Sequence, residues 1–189
     1  QNQHGNMLLL SNGFEKSDRQ QWRFSGRKNF QGGFSFLGLL EINETDNSSD
    51  NLGNRNYRIN GYKTGLTTVF QPASWSRFSL GYDIRKENSD LEQQVDARSL
   101  TAGIQLSKGK GGNLTSRISY ISLDMEGEDN NAAAYELLQA LEPGNNLTWS
   151  FGWQKMLLDY LRLDLTYEGR KGQDSQIMHV GQVQLNAVF

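Results

Sequence analysis

The side chains that most often carry acid–base, nucleophilic or metal chemistry are scarce in this chain, which has two histidines, His4 and His179, and no cysteine. Protein zinc sites draw on Cys, His and carboxylates. Without thiolates, a site here would need carboxylates on strands that show no ligand clustering. Ser-His-Asp chemistry could use His179 with Asp174 and Ser175, but residues so close together in one loop seldom hold triad geometry. Gly109-Lys110-Gly111-Gly112 looks like a phosphate loop, yet no strand–loop–helix unit follows it. A glycine-rich tight turn explains it better. The sequence therefore leads to no catalytic residue, no cofactor and no metal, and an enzyme is the last reading to consider.

Composition narrows the class. The 189 residues are enough for one domain. Only 36% are hydrophobic, with 20 Gly and 2 Pro, and mean hydropathy is -0.66. No run approaches the ~20 apolar residues of a membrane helix. A transmembrane barrel stays open, because only alternate residues need face lipid. A net charge of -2 gives no reason to expect nucleic acid. The start, Gln1-Asn2-Gln3-His4, has neither the basic nor the apolar region of a signal peptide. An exported protein would then have lost its leader, or this would be the C-terminal piece of something longer.

Period-two alternation, the pattern of a half-buried strand, recurs along nearly the whole chain. In the last segment Gly181, Val183, Leu185, Ala187 and Phe189 share a face opposite Gln182, Gln184 and Asn186. Four further strands are clear: 77–85, 100–107, 147–154 and 161–168. Others are expected at 21–27, 34–44, 57–71 and 114–125, with a short first strand at 7–12, about ten in all. Two of these change phase midway. Tyr57 and Ile59 are odd-numbered while Tyr62, Leu66 and Phe70 are even, and Ile118 and Tyr120 give way to Ile121, Leu123 and Met125. A β-bulge would account for each break.

The connections sort by side. Short turns are expected at 28–33, 72–75, 108–113 and 157–160, and longer polar loops at 13–20, 45–56, 87–94, 126–146 and 169–178. Short periplasmic turns and long outer loops are the pattern of outer-membrane barrels. The loop 126–146 holds the only expected helix, Ala132–Leu141, ended by Pro143-Gly144. Its Tyr135, Leu138 and Leu141 could cap the barrel mouth or pack on a partner, although a loop with a helical turn or two is the plainer reading.

The expectation is an all-β, antiparallel up-and-down transmembrane barrel of about ten strands forming one domain over 1–189. Trp22, Trp75, Trp149, Trp153, Tyr160 and Tyr167 are placed to form aromatic girdles at the headgroups. Arg77, Asp83, Arg85, Arg117, Arg162, Asp164 and Glu168 would face a narrow lumen, pair across it and largely fill it.

The runs Ser17-Asp18-Arg19-Gln20-Gln21-Trp22, Asn54-Arg55-Asn56-Tyr57, 141–149, Tyr167-Glu168-Gly169-Arg170-Lys171 and His179-Val180-Gly181, with the final Phe189, carry a family likeness. From about residue 17 onward the chain resembles the C-terminal barrel region of large Bacteroidota outer-membrane proteins. Its last strand resembles the sorting signal read by the barrel assembly machinery. The resemblance implies an outer-membrane location, lipid and other envelope chains as partners, and no particular reaction or substrate. A membrane anchor or scaffold is the first functional expectation. Part of a larger transport pore or translocon comes second, and a soluble β-sandwich binding module third.

Overall fold

A computed structural model describes residues 2–9, 13–49, 56–109, 112–128 and 131–187, with side chains from residue 16 onward. Ten strands follow one another: β1 (Asn2–Leu9), β2 (Gly13–Asn29), β3 (Phe34–Ser49), β4 (Tyr57–Ala73), β5 (Ser76–Ser89), β6 (Gln94–Ser107), β7 (Asn113–Glu126), β8 (Gly144–Leu158), β9 (Leu161–Lys171) and β10 (Met178–Ala187). One helix, α1 (Ala132–Leu138), lies between β7 and β8. Each strand pairs antiparallel with its sequence neighbours, giving one up-and-down sheet with β1 and β10 at its two ends. Val188 and Phe189 lie outside the described residues.

The four expected short turns are present at 30–33, at 74–75, between Ser107 and Asn113, and at 159–160. In the third, the Lys108 amide donates to the Gly112 carbonyl and the Gly112 amide to that of Gly109. Gly112 has φ +85 and its α-carbon abuts the Gln154 carbonyl, so a side chain there would be strained and would collide with β8.

The opposite connections are shorter than expected. β2, β3 and β4 run 17, 16 and 17 residues, well past the ~9–11 needed to cross a bilayer. Residues 13–20 and 45–49 are therefore ladder, and the 90–93 connection is no longer than the 30–33 turn at the other end. Above an apolar band a strand needs no hydrophobic side, so Asn, Asp and Ser can keep pairing while reading as loop. The first strand ends at Leu9, earlier than expected, and residues 10–12 lie outside the described segments.

Neither phase change is a bulge. β4 pairs with β5 without interruption from Ile59 to Phe70, and β7 with β6 from Asn113 to Glu126. The register shifts that do occur sit beside turns, between Phe70 and Ala73 and between Met156 and Leu158. The apolar residues simply change sides because α1 lies against the sheet there. Ile59, Val95, Ala97 and Leu123 are buried with Ala133 and Leu137, and Tyr57, Met125, Leu138 and Leu141 pack around them. The side under α1 is the inner face of the sheet.

Leu123 is fully buried in that cluster. Leu123→Ala is expected to lower unfolding stability by about 2–5 kcal/mol, read as an earlier denaturation midpoint. Tyr135→Ala, on a helix residue 71% exposed, should stay within about 0.5 kcal/mol.

Candidate functional site

α1 forms because Asn131 caps it, its side-chain oxygen accepting from the Ala134 amide at 2.9 Å, and because three successive alanines favour helix. It stops at Leu138, short of the expected Leu141, since Gln139 and Ala140 turn left-handed at φ 52 and 60. The residues it buries are Ala133, Ala134 and Leu137 rather than Tyr135.

Three arginines from well-separated strands grip the helix and the residues just after it. Arg19 on β2 pairs with Glu136. Arg85 on β5 donates to the Leu137 carbonyl at 3.0 Å, and Arg170 on β9 to the Ala140 carbonyl at 2.9 Å. Arg85 also pairs with Glu87, which accepts from Asn43 at 2.8 Å. Between helix and sheet lies a cavity of about 610 Å³ lined by Glu41, Lys63, Asp83, Thr101 and Arg117, among others.

The charged residues expected to cross-pair do something more local. Arg85–Glu87 and Arg162–Asp164 (3.0 Å) are two apart on one strand, and Arg23–Glu41 (2.8 Å) bridges adjacent strands. Arg77, Asp83, Arg117 and Glu168 have no ion-pair partner among the described residues. Neighbours two apart on a strand face the same way within easy reach, so charges satisfy one another along the wall. Among the described residues, α1 and the residues just after it are what join side chains from β2, β5 and β9.

The opposite, outer face is apolar and exposed. Across the sheet Phe34, Phe70, Phe78 and Ile104 stand in register, and the Phe34 and Phe70 rings stack at 4.5 Å. Trp22, Trp149, Trp153 and Tyr167 share this face by register. Trp75 and Tyr160 sit in the turns, about half exposed. Trp149 lies flat over Gly169, where any side chain would collide with the indole. Gly181, Val183, Leu185 and Ala187 line up on the same face of β10, opposite Tyr167, Leu165, Leu163 and Leu161.

The candidate triad does not assemble. His179 Nδ1 bonds the Tyr167 hydroxyl at 2.7 Å, and Ser175 Oγ accepts from the Gly172 amide at 3.0 Å. Among the described residues no His, Asp and Glu cluster could hold a metal. The arginine grip on α1 was missed because each contact joins residues far apart in sequence. The phase break at 59 and 121–125 was its visible trace.

At the loop end Asp46 bonds Arg58 at 2.6 Å, and that hydrogen bond, then its charge, holds the guanidinium above its ordinary pKa. Asp18 does the same for the Lys16 ammonium. Both cations stay charged through any physiological pH.

Arg85→Ala would leave Glu87, whose side chain is 7% exposed, as a buried charge without its cation. It is expected to cost about 3–5 kcal/mol, measured by denaturant unfolding and largely recovered in the Arg85→Ala/Glu87→Ala double variant. Arg19→Ala should cost under about 1 kcal/mol, since both partners of that pair are more than a third exposed. No protein-family model matches the chain, and no curated protein matches it.

Proposed function

We propose that this chain is an outer-membrane β-barrel of a Gram-negative, Bacteroidota-type envelope, acting as an anchor or scaffold for surface or periplasmic partners. One observation carries the reading: an apolar face spread over the sheet with none of the described residues laid on it. Leu66, Leu80, Leu100, Ile118 and Val183 are 54, 53, 48, 48 and 69% exposed, while the other face carries charge, hydroxyls and a docked helix. A soluble sandwich would lay a second sheet on the apolar face. No such layer exists among the described residues, and lipid is the partner that fits.

In this reading the short turns face the periplasm and β10 is the strand offered to the assembly machinery. The helix across the cavity supports an anchor over an open conduit, and the outer strand extensions and loops are the contact surface. A second reading, part of a larger pore, is favoured by the two terminal strands. Among the described residues β1 and β10 each pair on one side only, and in lipid such edges must meet each other or another chain.

Detergent extraction followed by intact mass and electrophoresis before and after boiling tests both. A species near 21.4 kDa whose mobility shifts on heating supports a self-contained barrel. A larger mass, or tight co-migration with another chain, supports the composite pore. Quantitative recovery without detergent would sink both. Within the barrel reading, Leu80→Lys should lower folding stability in bilayers by about 2–4 kcal/mol, whereas Ser79→Lys on the inner face should cost far less, measured by folding titrations into vesicles.

A further inference from the structure

Three lysines stand at the turn end of the sheet, each over an aromatic ring: Lys28 over Phe30 at 5.4 Å, Lys108 over Trp75 at 5.7 Å and Lys155 over Trp153 at 5.7 Å. Lys28 and Lys155 belong to the outer face by register, opposite Phe36 and Leu163. Lys108 sits in the β6–β7 turn. The cations thus border the apolar band directly.

Their electrostatic situation differs from that at the loop end. There, the outer-face cations Lys16, Arg58 and Lys86 are matched by Asp18, Asp46 and Asp96 at 2.8, 2.6 and 2.7 Å, leaving Arg98 and Lys171 without a carboxylate among the described residues. At the turn end none of Lys28, Lys108 and Lys155 has a carboxylate partner among the described residues. A lysine whose stem follows an apolar surface and whose ammonium reaches past it suits the membrane interface. The ring beneath fixes the ammonium by cation–π attraction and leaves donors free to point outward.

We propose that this lysine–aromatic rim binds the phosphodiesters of anionic phospholipids in the leaflet at the turn end. The inference rests on the barrel reading. That reading supplies a bilayer edge at the level where the rings end, and the unmatched cations supply the reason for an anionic headgroup over a zwitterionic one. Each lysine near an anionic surface favours it by a factor of about five, so loss of all three should be readily seen.

Two of the three rings are tryptophans, and the chain has only 4 Trp. In the Trp22→Phe/Trp149→Phe variant, the remaining fluorescence reports from Trp75 and Trp153 alone. Reconstituted in vesicles, this protein should be quenched several-fold more effectively by phosphatidylglycerol brominated near the headgroup than by phosphatidylcholine brominated at the same carbons. The difference should disappear when Lys28→Gln, Lys108→Gln and Lys155→Gln are added. Equal quenching by both lipids with the lysines intact overturns the headgroup site and leaves the barrel standing. No quenching by either lipid removes the barrel reading and the site with it.

Discussion

An unbroken antiparallel ladder with a side-chain period of two governs everything else in this molecule. Once ten strands pair neighbour to neighbour, alternate residues are committed to opposite faces, and a one-residue slip would turn every apolar side chain to the wrong side. Between β1 and β10 the ladder satisfies backbone donors and acceptors within the sheet, a condition that the proposed contact with hydrocarbon would impose. The faces then divide the work: aliphatic and aromatic side chains on one, charges, hydroxyls and a docked helix on the other.

The helix adds apolar packing to a polar inner face. Its alanines are small enough to lie close to Ile59, Val95 and Leu123. Arginines from β2, β5 and β9 fasten Glu136 and the carbonyls of Leu137 and Ala140. Packing and polar contacts thus act on one short element from three separated parts of the sheet. The helix braces the wall near the loop end, and Asp83 and Arg117 line the cavity beneath it.

Alternation in the sequence located the strands well, because half-exposed strands repeat their pattern with little ambiguity. It placed the turn-end connections, where Gly and Pro punctuate the chain. The loop-end boundaries were less legible: segments such as 45–49 pair as strand with side chains typical of loops. The two phase breaks were visible but carried the wrong meaning. An apolar switch from even to odd positions signals either a bulge or a second body on the other face, and local sequence does not separate the two. The arginine grip lies beyond any local pattern, since Arg19 and Glu136 are 117 residues apart. Lysines over rings without carboxylates at one end, and three of five outer-face cations paired at the other, likewise become apparent only when the register is known.

The central claim is that the two faces of this wall meet different solvents, and cysteine scanning along β5 tests it most directly. The chain contains 0 Cys, so single cysteines at 77–85 can be read without background in vesicles. Phe78, Leu80, Tyr82 and Ile84 positions should resist a water-soluble maleimide and respond to a lipid-confined quencher, while Arg77, Ser79, Gly81 and Asp83 positions do the reverse. Uniform labelling at all nine positions, or alternation of the opposite phase, would contradict the account.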